Sequence, residues 1–241
     1  MDSKQRIYEC AKILFFEEGF KSTTKRRVSE LSGINQSMIN YYFKELGNVA
    51  GVIFAENYQI IFSYVVKYTD SVKDPLLADA VYEFVIHRIC SASPLMARFV
   101  SEASGELLNG SKVYNYVAKS HLNALIGMAD KKVLKNTQID ALFSALRLGI
   151  KSYYFVTCGS GKLSDDKFRE YIGFMIRNQM YALGRIYKDD EVADIIGRAE
   201  EISTKLMDEN PELSDPSVYL YHKSILKDEP VLDLLDNVKF E

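Results

Sequence analysis

Residues 33–44 read GINQSMINYYFK, three aromatic residues set directly behind a polar run. Taken as a helix that starts at Gln36, the stretch divides into two faces. Ile39, Tyr42, Phe43 and Leu46 stand at i, i+3, i+4 and i+7, a stripe that can pack on other helices. Gln36, Ser37, Asn40, Tyr41 and Lys44 lie opposite. They offer amides, hydroxyls and a cation, groups that suit base edges and phosphates better than a protein interior.

The residues before this helix fit the same reading. Gly33 ends a preceding helix and permits a tight turn, Ile34 is a buried plug, and Asn35 is the N-cap of the helix that follows. Thr23 or Thr24 caps that preceding helix, over residues 24–32, with Val28 and Leu31 pointing inward. A first helix over residues 3–18 puts Ile7, Ala11, Leu14 and Phe15 on one face and closes at Gly19. Two helices joined by a short glycine-containing turn, with a supporting helix in front, are the layout of a helix-turn-helix.

Charge is distributed to match. The chain of 241 residues has a formal charge of -3, yet residues 1–48 hold eight basic and six acidic side chains against 22 and 27 in the rest. Between residues 21 and 44, Lys21, Lys25, Arg26, Arg27 and Lys44 face one acid, Glu30. Such cations release counterions from a nucleic acid, while the plain alternative is a solvated helix face.

The segment RIYECAKILFFEEGFKSTTKRRVSELSGINQSMINYYFK, Arg6 to Lys44, resembles the TetR family of bacterial transcriptional regulators. The likeness lies in LF.E.GF..TT, the glycine-isoleucine turn and the YYF ending, all at family spacing. It implies that Thr24 caps the second helix and touches a phosphate, that Arg26 reaches a base, and that Lys25 adds charge. It makes Gln36, Ser37 and Met38 the leading residues of a recognition helix, with Tyr41 and Tyr42 on the DNA backbone. Asn40, where the family has Tyr, and Leu46, where it has a nearby Lys, depart from the pattern; Lys44 is the substitute cation. Gln36 and Asn40 can each pair with adenine N6 and N7, which predicts half-sites with a critical adenine.

The rest of the chain reads as all-helical. Four of five prolines follow Asp, Ser or Asn (at 75, 94, 211 and 216), the arrangement of an N-cap with proline at the first helical position. Further helices are expected at 46–70, 75–91, 94–108, 112–131, 137–158, 164–187 and 189–208, with shorter ones after Pro216 and Pro230. The expected fold is all-α: a helix-turn-helix domain at 1–46, a larger antiparallel helical bundle at 47–209 for ligand binding and dimerisation, and a docked extension at 210–241.

By the resemblance, the helices at about 137–158 and 164–187 pair across a homodimer axis. Gly149, Gly173 and Ala182 are small enough to allow close approach. The resemblance likewise implies that helices four to seven enclose a pocket for a small, largely apolar effector. Candidate lining residues are Tyr58, Phe62, Phe84, His87, Phe99, Tyr116 and His121, all of which read equally as core. A shift of helix four on effector binding then changes the spacing of two DNA-reading heads on a near-palindromic operator of double-stranded DNA.

Three separated cysteines exclude a disulfide framework or zinc motif, and no catalytic or metal motif or cofactor signature is present. The N-terminus carries no apolar signal region, and the most apolar stretch is interrupted by Glu56, Asn57 and Gln59, so a cytoplasmic location without a membrane span is expected. Two other readings stand beside the regulator: a helical interaction protein with a degenerate DNA-reading face, and an enzyme with a spatially assembled site.

Overall fold

The computed structural model describes residues 2–106, 117–135, 138–158 and 164–220. Within them the regular elements are all helical: α1 (Ser3–Glu17), α2 (Lys25–Ser32), α3 (Gln36–Phe43), α4 (Leu46–Tyr68), α5 (Pro75–Ala92), α6 (Pro94–Ala103), α7 (Lys119–Ile126), α8 (Ile139–Cys158), α9 (Asp165–Ala182), α10 (Asp189–Glu209), a 3-10 turn Pro211–Ser214, and α11 (Pro216–Leu220). The expected helices after Pro230 and the candidate residue Tyr116 lie outside the described residues.

Local chemistry sets the boundaries. Asp74 accepts a hydrogen bond from the Leu77 amide and Ser93 from the Met96 amide, each with proline at the first helical position. The helix expected over 94–108 stops at Ala103, and the one expected over 164–187 stops at Ala182. There the left-handed Gly184 (φ 73°) lets the Arg185 amide turn back to the Met180 carbonyl. The tail docks as far as it is described, with Leu213 and Tyr219 buried and the Tyr219 hydroxyl donating to the Leu213 carbonyl.

One continuous core joins the helices. Phe15 and Phe16 of α1 stack on Phe99 of α6, and Phe99 meets Phe54 of α4. By length and composition α4 could cross a membrane, but most of it is buried in this core, and its Glu56 receives hydrogen bonds from Tyr8 and Lys12 of α1. The most extensive helix pairing sets α10 along α5.

Candidate nucleic-acid interface

Thr24, not Thr23, caps α2: its Oγ1 accepts from the Arg27 amide at 3.2 Å, while the Thr23 hydroxyl is buried and donates to the Gly19 carbonyl. Gly33 takes the left-handed conformation (φ 66°) that closes α2, and Asn35 accepts from the Ser37 amide to open α3. Val28, Ile39 and Phe43 are fully buried beneath the turn. Leu31, expected inward, is 48% exposed. Ser32 takes the inward position instead, because its hydroxyl accepts from the Ile34 amide and ties the turn under α2.

The anchoring displays the other face of α3. Gln36, Ser37, Asn40 and Tyr41 are exposed, Tyr41 at 73%, while Met38 and Tyr42 are half-buried against the core. Lys44 does not continue this face. The helix ends at Phe43, and Lys44 has φ 63°, the one positive φ at a non-glycine among the described residues. Leu46 accordingly begins α4 rather than extending the stripe of α3.

Folding also brings acids to the cations. Lys25 bonds Asn40 Oδ1 and the Lys44 carbonyl, both at 2.7 Å, and pairs with Glu45 at 2.9 Å. Arg26 pairs with Glu30, and Arg27 with Glu18 and Glu30. The basic cluster is therefore largely neutralised within the chain. Glu18 and Glu45 flank the window in which the sequence shows one acid. Lys44 is exposed and makes no ion pair among the described residues.

The α1 end of this unit is held by α6 as well as by α4. Arg98 donates to the carbonyls of Phe16 and Glu17, closing α1, and Glu102 accepts from the Lys21 amide. The sequence points to helix four alone as the mechanical link to the DNA-reading unit, because an arginine aimed at a distant helix end leaves no local pattern.

Among the described residues, the six effector candidates Tyr58, Phe62, Phe84, His87, Phe99 and His121 do not line one common cavity. Phe99 belongs to the aromatic cluster with Phe15 and Phe54. Tyr58 stacks on Phe62, and Phe62 packs on His121. Phe84 and His87 line a cavity of about 430 Å³ beneath α10. Between α4, α5 and α8 the void lined by Phe54, Asn57, Tyr82 and Lys151 is only about 10 Å³, one water's worth.

That interior is filled by a ladder of polar side chains. Asp79, Glu83 and His87 of α5 face Arg147, Lys151 and Tyr154 of α8, pair by pair. All four charged groups are buried. His121 and Gln179 also reach Asp79. Burial opposes ionisation of Asp79, but Arg147 first, then Lys151 and His121, hold it well below the usual carboxylate range. Burial pushes Glu83 up, and Lys151 opposes it. The legible signal is two acids four apart among apolar neighbours in α5 and two bases four apart in α8, since long charged residues enter a core only when paired.

Burial also lowers the pKa of His87 and His121, against their bonds to Asp165 and Asp79. A histidine kept neutral by folding binds more protons when unfolded, so its stabilisation is complete above the ordinary value near 6.5 and falls as pH drops below it. The difference in unfolding free energy between the wild type and H121Q should therefore narrow from pH 7.5 to pH 5.5 in urea titrations. A difference independent of pH would contradict this.

On the surface, α8 and α9 present an apolar groove of about 770 Å³ lined by Leu146, Gly149, Ile150, Tyr153, Tyr171 and Phe174 among others. Tyr153, Phe174 and Tyr181 are more than half exposed. A Cβ added at Gly149 would meet nothing, so this position is open. Gly173 instead is buried against Val192 and Ile196 of α10, which makes it an intrachain packing position rather than the close-approach site expected of it.

No protein-family model matches the sequence, and no curated protein matches it. Among solved structures, the crystal structure of a gamma-butyrolactone receptor (ArpA like protein) aligns over 85% of this chain and 97% of its own, at 15% identity and a TM-score of 0.39. A likeness that slight decides nothing about function, and the functional reading rests on the chain's own residues.

Proposed function

We propose that the protein is a ligand-responsive, DNA-binding transcriptional regulator of TetR type. It acts as a homodimer on a near-palindromic operator, as a repressor released by a small effector. One observation carries this reading: buried Val28, Ile39 and Phe43, with the left-handed Gly33, hold α3 so that Gln36, Ser37, Asn40 and Tyr41 project from the surface. The exposed first turn of α2 supplies Thr24 and backbone amides for phosphate, and Arg26 for a base edge. The proposed division places DNA reading in residues 1–46, dimerisation on α8 and α9, and effector sensing in the bundle between them.

The pairing of Lys25 with Asn40 and Glu45 gives this reading a particular form. A phosphate is a competing partner for Lys25, and its capture releases Asn40 Oδ1 to accept from adenine N6. DNA contact and base reading are thereby linked through one ammonium group. Q36A and N40A should each weaken binding to the selected operator by about 1–3 kcal/mol and relax adenine preference at a distinct position. Operator selection with each variant checks this, and unchanged preference in both would contradict it.

The neutralised cations Lys25, Arg26 and Arg27 favour a second reading, a helical interaction protein whose DNA-reading face has decayed. Binding to the DNA upstream of its own gene separates the two, because the decayed face predicts no salt-dependent complex.

A further inference from the structure

The cavity beneath α10 is lined on its α5 side by residues that include Phe84 and His87, two of the expected effector contacts, and otherwise mainly by residues of α9 and α10, beyond the helix four to seven region in which the effector was expected. Its floor is apolar: Phe84 of α5, Phe168 of α9 and Met207 of α10. Its volume, about 430 Å³, is in the range that holds a small organic molecule. The charged groups on its wall are not equivalent. Glu200 is taken by Arg169, which forks onto both carboxylate oxygens at 2.6 and 3.1 Å. Asp165 lies 3.5 Å from His87 Nε2. Arg88 makes no ion pair among the described residues: one terminal nitrogen donates to the neutral Thr204 hydroxyl at 2.8 Å, and its Nε is buried with no hydrogen-bond partner. A guanidinium in that state gains most from a planar anion that accepts two parallel bonds.

The same wall is shared with the groove on α8 and α9. His87 stacks flat on Phe168, centroids 4.0 Å apart and planes 5° apart, and its Nδ1 is 2.6 Å from the Tyr154 hydroxyl. Tyr154 stacks on Tyr171 at 4.2 Å, and both of these rings line the groove. Four rings thus separate cavity from groove, and a body pressed on Phe168 or His87 acts on Tyr154.

We propose that this cavity binds an amphipathic organic carboxylate, its head on Arg88 and its hydrocarbon body against Phe84, Phe168 and Met207, and that occupancy is relayed through His87 and Tyr154 to the α8/α9 surface. The relay rests on the dimer reading given above; the binding site does not.

Titration calorimetry on the full chain with octanoate, octylamine and octan-1-ol isolates the head group. Octanoate should bind at least 10-fold more tightly than the other two, R88Q should lose that preference, and S91F, which fills the cavity with Arg88 intact, should abolish binding of all three. Equal affinity for the three probes, tighter octylamine binding, no octanoate binding, or octanoate binding unchanged in R88Q and S91F overturns the site. Sedimentation should show octanoate shifting the dimer constant at least threefold in the wild type and not in Y154F. Octanoate binding without such a shift, or a chain that stays monomeric, overturns the relay. Octanoate binding by a chain that ignores its upstream DNA upholds the site and overturns the regulator reading instead.

Discussion

Asp79→Ala is expected to lower the unfolding free energy by about 3–5 kcal/mol, the cost of leaving a buried charge without its partner. The carboxylate is reached by Arg147, His121 and Gln179, so its removal strands a guanidinium in the middle of the bundle. The double variant D79L/R147M should recover most of the loss, because two apolar side chains of suitable volume need no compensation for desolvation. Urea unfolding of the single and double variants checks this cycle. Additive losses would mean that the two groups do not depend on each other.

The other large effect is expected at the groove. F174E, or Y153E, puts a carboxylate on the exposed apolar face of α8 and α9, where both positions are more than half exposed in the single chain. In a two-fold dimer each substitution enters the interface twice, and a desolvated, like-charged pair costs several kcal/mol. The dimer constant should weaken by at least about 100-fold, roughly 2.7 kcal/mol. The stability of the isolated chain should change by less than about 0.5 kcal/mol, as for other surface positions. Sedimentation equilibrium reads the first and urea unfolding the second. A dimer unaffected by either substitution would place the interface elsewhere.

The sequence made the helical frame legible because its signals are local. Prolines 75 and 94 follow capping residues, Gly19 and Gly33 take positive φ where helices end, and Ile39 and Phe43 recur at helical spacing. Misreadings began where neighbours far along the chain decide. Leu31 is outward because the hydroxyl of Ser32 holds the turn, and Lys44 leaves the α3 face because the chain bends sharply into α4. Glu18 and Glu45 reach the basic cluster only after folding, so a count over a window overstates its field.

The interior was harder still. A run of aromatics at helical spacing looks the same whether it lines a pocket or fills a core. Here Tyr58, Phe62 and His121 pack on one another, Phe99 packs on Phe15 and Phe54, Arg147 and Lys151 occupy the space between α5 and α8, and the usable cavity opens beneath α10. Gly173 shows the same ambiguity at one residue, since a small side chain permits approach by any helix and α10 is the one that takes it.

The most direct test of DNA reading is fluorescence anisotropy of the full chain with the labelled duplex upstream of its own gene, titrated between 50 and 200 mM salt. A dimer with about six phosphate contacts should lose roughly 10³-fold in affinity over that range, and should outcompete a scrambled duplex at every salt concentration. No binding at 50 mM, or binding equal to that of the scrambled duplex, would contradict a sequence-reading role for α3.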